Sequence, residues 1–126
     1  MGEGRQGQIN MPVSHFAFMT TKELYDRITA EYPCGEPAFI RHLDSTVRAL
    51  ESRYGKKYVY SSAYQKPLTI NDDISVYDEY FPAIVDHILF LITKDTDRKT
   101  DFIAESDFAY KTIWGAAVHG KRFMGV

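Results

Sequence analysis

The chain is 126 residues long, the usual size of a single domain with one hydrophobic core. Its 15 Lys and Arg residues and 17 Asp and Glu residues give a net charge of −2, which argues against a nucleic-acid-binding protein, because that class carries a basic excess or patch. The one cysteine, Cys34, excludes an intramolecular disulfide framework and a thiolate cluster for zinc. Apolar runs stay far below the roughly 20 residues that span a bilayer, and no secretory signal is visible, so the composition predicts a soluble, intracellular protein.

The first 19 residues differ from the rest of the chain, and we expect them to be a flexible arm, a leader or a tag. Residues 1–10 hold three glycines and two glutamines among few apolar residues, which predicts a mobile segment. Apolar residues then follow without a helical or strand period: Met11, Val13, Phe16, Ala17 and Phe18. They suit an arm that reaches a groove on another subunit, with Phe16 and Phe18 as candidate contacts. An extension upstream of a start at Met19 explains them equally well.

Two amphipathic helices are predicted at the start of the ordered domain. Thr20 followed by Glu23 has the pattern of a capping box, and a short helix follows until Pro33 ends it. The second helix, Pro37–Tyr54, has the clearest helical period in the chain, and Gly55 is placed to end it. Its apolar stripe consists of Ile40, Leu43, Val47, Leu50 and Tyr54.

The segment after the second helix is β-prone. Lys57–Ser62 is rich in Tyr and Val, and two further short stretches, Leu68–Ile70 and Ile74–Val76, flank the turn residues Asn71–Asp73. A short β-hairpin and an irregular extended excursion both fit this pattern. Two strands alone are marginally stable, so either arrangement needs the helices or a neighbouring subunit behind it.

Two more helices complete the predicted domain, which covers residues 20–120. Tyr80–Ile92 is the most apolar segment, and a helix that is apolar nearly all round is buried on most sides, so we predict it to be the central helix. A charged turn, Lys94–Lys99, precedes the last helix, Thr100–His119, which the following glycine ends. Residues 121–126 remain as a C-terminal tail. The predicted fold is mainly α: three longer helices, a short first helix, and the hairpin or excursion between the second and third.

No constellation of catalytic or metal-binding residues emerges from the sequence. The four histidines are scattered without metal-ligand spacing. His87, on the central helix, is expected to be a hydrogen-bonded histidine at a packed interface. Cys34 precedes a helix N-terminus that could lower its pKa, but nothing nominates a base to activate it. We therefore expect no enzyme, no cofactor and no metal.

Several segments resemble small neck proteins of tailed bacteriophages and prophages, the head-completion or head–tail connector adaptors. In that family an extended stretch leads into a D-x-Y-x-P-A-aliphatic helix, here Asp78–Ile84, and the last helix is of the kind A-x-x-x-aromatic, to which Asp107–Trp114 is similar. Pro37–Glu51 is similar to the first long helix of the family. The resemblance covers about two-thirds of the chain and excludes residues 1–19.

The resemblance implies a non-enzymatic virion protein that forms a ring, possibly of twelve copies, in the neck between capsid and tail. The ring binds the portal protein on one side and a tail-side neck or tail-completion protein on the other. DNA passes through its lumen without sequence-specific binding. The subunit needs no membrane and resides in the bacterial cytoplasm before assembly.

Candidate partner contacts follow from this resemblance and from the aromatic content of 14%, since aromatic side chains are enriched in interfaces. Family members often reach the portal with a terminal segment, for which the candidates here are Lys121, Arg122, Phe123 and Met124. Tyr58 and Tyr60, in the β-prone segment, are further candidates. The alternative interpretation is a small bacterial helical interaction or regulatory module that uses the same surfaces for one soluble partner.

Overall fold

Helices dominate the computed structural model of this chain, which describes the backbone of residues 20–125 and the side chains of residues 20–115. The five helices are α1 (Thr21–Glu31), α2 (Glu36–Tyr54), α3 (Lys56–Val59), α4 (Phe81–Thr93) and α5 (Thr96–Gly125), and a 3-10 turn (Asp78–Tyr80) precedes α4. The prediction of a mainly α-helical bundle is confirmed for the described residues. No helix in this part of the chain is long and apolar enough to cross a membrane. The predicted arm, residues 1–19, lies outside the described residues.

The first helix begins with the predicted capping box. The backbone N–H of Glu23 donates to Thr20 Oγ1 (3.1 Å), and the backbone N–H of Thr20 donates to Glu23 Oε1 (2.8 Å). These two bonds satisfy donors that a helix N-terminus otherwise leaves without partners. Leu24 and Ile28, four residues apart, are fully buried and attach α1 to the core.

The second helix has the predicted stripe, and Gly55 ends it. Gly55 has φ +92° and ψ 151°, a conformation that glycine adopts at little cost because it lacks Cβ. Asp44 pairs with Arg48 on the exposed side, with 3.6 Å between Asp44 Oδ1 and Arg48 Nε. The buried side chains of α2 are Phe39, Ile40, Leu43, Thr46, Val47 and Leu50.

The predicted β-hairpin does not form in the described residues. One isolated antiparallel bridge joins Tyr60 to Val76, and the chain between them is irregular. The β-prone residues instead form the helical turn α3, because Gly55 lets the chain re-enter a helix at once and the turn buries Val59. Farther on, the Asp72 carboxylate accepts hydrogen bonds from the backbone N–H groups of Leu68 and Thr69. These two N–H groups are therefore not available for hydrogen bonds between strands. We call residues 60–77 the excursion.

The last two helices form an antiparallel hairpin. Lys94, with φ +64°, ends α4, and the Asp95 carboxylate caps α5 by accepting from the backbone N–H of Asp97 (2.9 Å). α5 therefore begins four residues before the predicted start at Thr100. The prediction that Gly120 ends this helix is wrong, since α5 continues to Gly125. A glycine inside a helix costs only about 1 kcal/mol relative to alanine, which the neighbouring residues offset.

The central position predicted for the fourth helix is confirmed. α1, α2 and α5 all contact α4, whose buried residues are Phe81, Ala83, Ile84, Val85, Asp86, His87, Ile88 and Leu89. α2 and α4 run antiparallel, because Tyr54 at the end of α2 lies near Tyr80 (ring centroids 6.0 Å apart), just before α4 begins. α1 and α5 are also antiparallel, since Glu31 at the end of α1 pairs with Arg98 at the start of α5 (3.3 Å).

Candidate protein-contact surfaces

His87 is a structural residue of the core. Its Nδ1 lies 2.7 Å from Thr46 Oγ1, which joins α4 to α2. Burial, followed by two nearby basic groups, lowers the pKa of His87, so the ring is neutral at neutral pH. Asp86, the preceding residue, accepts instead from Arg98 Nη1 (3.0 Å). The prediction of a hydrogen-bonded histidine at a packed interface is confirmed.

Cys34 lies in the connection between α1 and α2 and is partly exposed. Burial raises the pKa of its thiol, against the expectation that the following helix N-terminus lowers it, although Arg41 acts in the opposite direction. A raised pKa reduces the thiolate fraction and with it the reactivity of the sulfur. In residues 20–115, no group of three or more His, Cys, Asp or Glu side chains is placed to hold a metal ion.

An aromatic cluster joins the end of α2, α3 and the excursion to α5. Its members are Tyr54, Tyr58, Tyr77, Tyr80, Tyr110 and Trp114. Tyr54 stacks on Tyr110 with ring centroids 5.0 Å apart, and Trp114 meets Tyr58 edge to face at 5.2 Å. The backbone carbonyl of Tyr58 accepts from both Trp114 Nε1 (3.0 Å) and the Tyr80 hydroxyl (2.9 Å). These contacts fix α3 on the bundle.

A cleft of about 530 Å³ opens between α2, α3 and the excursion, and we call it the basic cleft. It is lined by Arg48, Glu51, Lys56, Lys57, Tyr60, Ser62, Ala63 and Tyr64. The rings of Tyr60 and Tyr64 stack with centroids 4.9 Å apart and planes 16° apart. Since three basic residues and one carboxylate line the cleft, its chemistry suits an acidic protein surface.

Hydroxyl groups hold the two tyrosines of the basic cleft in place. Tyr60 donates to Glu51 Oε1 (2.6 Å), and Tyr64 donates to Asp44 Oδ1 (2.9 Å). The Arg48 guanidinium lies 5.9 Å from the Tyr64 ring centroid. The acceptors belong to α2, so the rigid helix positions the side chains of the irregular excursion.

A second, largely apolar groove of about 340 Å³ lies where the 3-10 turn and the start of α4 meet the middle of α5, and we call it the acidic groove. Its lining residues are Asp78, Glu79, Pro82, Glu105, Phe108, Ala109 and Thr112. Phe108 leaves 73% of its surface exposed. The three carboxylates around an apolar floor suit a partner that combines apolar and basic groups.

A charged cleft of about 280 Å³ continues from the acidic groove and shares Pro82 and Glu105 with it. Its other lining residues are Arg27, Glu31, Val85, Asp86 and Arg98. Burial, followed by the neighbouring carboxyls of Asp86 and Asp101, raises the pKa of Glu105 to about 8. Burial also raises the pKa of Asp78, in the acidic groove, to about 6. Carboxyl groups crowd together along this side of the bundle.

The structure places two of the predicted contact residues in different roles. Tyr58 is half-buried in the aromatic cluster, whereas Tyr60 lines the basic cleft. Phe16 and Phe18 lie outside the described residues. The bounds of α5 include the predicted tail contacts, whose side chains are likewise outside the described part: Lys121, Arg122, Phe123 and Met124. These six residues stay predictions.

Residues of both surfaces were missed by sequence reasoning. Tyr64 follows Tyr60 by four positions, but outside a helix this spacing does not predict stacking. Phe108 does carry a signal, because it lies off the apolar stripe that contains Phe102 and Ala109, and a phenylalanine off the buried face of a helix points to a contact surface.

Comparison of the chain with protein-family models, with curated proteins and with solved structures found no match.

Proposed function

We propose that this chain is a non-enzymatic structural subunit of a tailed-phage or prophage virion, a head–tail connector that forms a ring below the portal. Two lines of argument support the proposal. The first is the resemblance of Pro37–Glu51, Asp78–Ile84 and Asp107–Trp114 to the connector family. The second is a single observation on the surface: one small helical bundle has two separate clefts of opposite charge.

The two clefts provide what a ring requires of each subunit. A closed ring uses head-to-tail contacts, so every copy needs two different surfaces that complement each other. The basic cleft and the acidic groove share no lining residue, and their charges are opposite: three basic residues and one carboxylate line the first, whereas Asp78, Glu79 and the largely protonated Glu105 line the second without any basic residue. Stacked tyrosines in one and an exposed phenylalanine in the other supply the aromatic anchors typical of interfaces.

Charge reversal tests whether these surfaces meet. We expect Lys56→Glu in the basic cleft, or Glu79→Lys in the acidic groove, to abolish the ring that this chain is proposed to form on a portal protein. The double variant should restore rings, because it exchanges the two charges. Lys22→Glu, at an exposed position of α1 that lines neither cleft, is the matched control and should assemble normally. Sedimentation velocity with cryo-electron microscopy of the mixture provides the measurement.

The wild-type protein also separates the proposal from its alternative. A ring of this chain on the portal supports the connector function. A soluble one-to-one complex with a different protein, with no affinity for the portal, favours the small bacterial interaction or regulatory module. Because connector subunits assemble on their partner, the measurement uses the portal mixture and not the isolated chain.

A further inference from the structure

The acidic groove and the basic cleft lie on different sides of the last helix. The face of α5 that contacts the end of α2 and α3 consists of Asp107, Tyr110 and Trp114. The face of α5 that lines the acidic groove consists of Glu105, Phe108 and Thr112. Each residue of the second set precedes one of the first set by two positions, which is a rotation of about 200° on an α-helix. The groove therefore faces away from α2 and α3, and one molecule cannot bring its groove onto its own cleft.

Both surfaces lie at the same end of the bundle. The 3-10 turn that lines the acidic groove ends at Tyr80, whose hydroxyl donates to the backbone carbonyl of Tyr58 in α3 (2.9 Å). α3 in turn contributes Lys56 and Lys57 to the basic cleft. Two copies that meet cleft to groove can therefore stand side by side at the same level, as a closed ring requires.

Each surface presents two consecutive charges that form no ion pair among the described residues. In the basic cleft these charges belong to Lys56 and Lys57, and in the acidic groove they belong to Asp78 and Glu79. Opposite charges on two surfaces favour their association and fix their mutual orientation. The groove of a second copy thus supplies the charges that the cleft lacks.

The acidic groove also presents an aromatic side chain, and the basic cleft presents an aromatic site for it. Phe108 is 73% exposed. In the cleft, the stacked rings of Tyr60 and Tyr64 are half-buried and already held by α2, so they are ordered before a partner arrives. Aromatic rings pack favourably on one another in stacked or edge-to-face pairs. A cleft of about 530 Å³ has the size of a ligand pocket and accommodates one phenyl ring.

From these observations we infer that Phe108 of one copy packs against Tyr60 and Tyr64 in the basic cleft of the next copy. The inference rests on the proposed function, because it names the side chains through which neighbouring subunits meet. The same docking brings the carboxylates of the groove towards the lysines of the cleft. Each copy provides one phenylalanine and one cleft, so the contact repeats from subunit to subunit until the ring closes.

Cross-linking between two cysteine variants tests the inference. Ala63→Cys in the cleft and Thr112→Cys in the groove each replace an exposed residue, in a Cys34→Ser background of the full chain. An equal mixture of the two variants is treated with a short bismaleimide, both concentrated alone and together with the portal protein. We expect dimers linked from residue 63 to residue 112 in the mixture and none from either variant alone, because a head-to-tail contact does not bring a residue near its own equivalent.

Matched substitutions separate the phenylalanine from the attraction between charges. Phe108→Ser, added to the Thr112→Cys variant, should lower the yield of dimers roughly tenfold or more, as expected for an aromatic anchor in an interface. It leaves the core intact because Phe108 is largely exposed. Leu68→Ser in the same variant removes a comparably exposed side chain (79%) that lines neither surface, and it should leave the yield unchanged.

Each contrary result overturns the inference. Absence of the link between residues 63 and 112 from both samples would show that the cleft does not receive the groove. Dimers from the Thr112→Cys variant alone would identify a contact of groove with groove. An unchanged yield with Phe108→Ser would show that the surfaces meet without the phenylalanine as anchor.

Failure of the inference is distinguishable from failure of the proposed function. A ring on the portal protein without the link between residues 63 and 112 would overturn the inference and leave the connector function in place. The link in the concentrated chain, together with no affinity for the portal protein, would support the contact and contradict the connector function.

Discussion

The tyrosine hydroxyls of the excursion donate to carboxylates of α2. Tyr60 donates to Glu51, and Tyr64 donates to Asp44. Burial, together with the acceptor carboxylate, raises the pKa of each tyrosine, so both hydroxyls keep their protons at physiological pH and remain donors. Hydrogen bonds to charged acceptors contribute about 1.5–3 kcal/mol each, which explains how an irregular segment keeps one conformation.

Replacing Glu105 by glutamine should stabilise the protein increasingly as the pH rises. The pKa of Glu105 is about 8 in the folded chain, against an ordinary value of 4.5. Between these values the unfolded chain has released the proton and the folded chain has not, so the residue destabilises the fold progressively from pH 4.5 to pH 8. After allowance for solvent screening, we expect Glu105→Gln to raise the free energy of unfolding by about 1–2 kcal/mol at pH 9 and by little at pH 4. Urea unfolding at the two pH values measures the difference.

Asp73→Asn serves as the control for this measurement, because Asp73 is an exposed carboxylate of the excursion. Its effect should be small at both values of pH. If Glu105→Gln changed the free energy of unfolding by the same amount at pH 4 and pH 9, the ionisation of the Glu105 carboxyl would not be the cause of the destabilisation.

At the scale of elements, Gly55 sets the path from α2 into α3. Its φ of +92° and ψ of 151° belong to a region that side chains with Cβ rarely adopt, although a methyl group at this position would meet no heavy atom within 4 Å. Gly55→Ala should therefore destabilise the protein by about 1–3 kcal/mol through the backbone alone. Thermal unfolding measures the difference.

Gly35→Ala is the matched control. Gly35 has φ −69°, and an alanine methyl group at this position would lie 3.9 Å from its nearest neighbour, Pro37 Cδ, which is an ordinary contact distance. This change should alter stability by less than about 1 kcal/mol. A Gly55→Ala protein as stable as the Gly35→Ala protein would show that the chain relaxes at Gly55 without strain.

The helices were predictable because their signals are local. A capping box at Thr20, an apolar period in α2 and a stop at Gly55 all depend on residues within a few positions of each other. The excursion was not predictable in the same way. Tyr60 pairs only with Val76, in one isolated bridge, and the hydroxyl groups of Tyr60 and Tyr64 bind acceptors in α2 that lie nine or more residues away, which no local pattern indicates.

The same distinction limits the prediction of the contact surfaces. Tyr60 was a candidate because it is an aromatic residue of the β-prone segment, and aromatic side chains are enriched in interfaces. The acidic groove was missed because the 3-10 turn contributes Asp78 and Glu79, whereas α5 contributes Glu105 and Phe108, about 30 positions later in the chain. Only the antiparallel arrangement of α4 and α5 brings these residues together, and no local pattern in either segment indicates a groove.

At the scale of the whole molecule, the last helix divides into a core part and a continuation. α5 has 30 residues and is about 45 Å long. Its contacts with the bundle include the aromatic cluster up to Trp114, and the helix continues for 11 residues to Gly125, about 16 Å. The predicted portal contacts, residues 121–124, lie on this continuation of the helix.

Removal of residues 121–126 should leave the stability of the fold unchanged but weaken binding to the portal protein. The core contacts described for α5 extend to Trp114 and so precede this segment, and we expect the melting temperature to stay unchanged. Binding to the portal protein should weaken by roughly tenfold or more, because an apolar anchor in an interface contributes about 2 kcal/mol or more. Calorimetry and surface plasmon resonance give the two values.

Removal of Val126 alone is the control and should change neither value. Normal portal binding by the chain that ends at Gly120 would exclude Phe123 and Met124 as anchors.

The attachment of the excursion by side chains has a consequence for engineering. The bridge between Tyr60 and Val76 closes the excursion at its two ends, and the hydroxyl bonds of Tyr60 and Tyr64 attach its first part to α2, so its central residues form a replaceable loop. Of residues 65–73, Pro67 is buried, and Ile70 is half-buried against the core with its backbone N–H bonded to Glu36 Oε2 (3.1 Å). Recognition loops of other sequence and length are therefore graftable at this place if they keep Pro67 and Ile70.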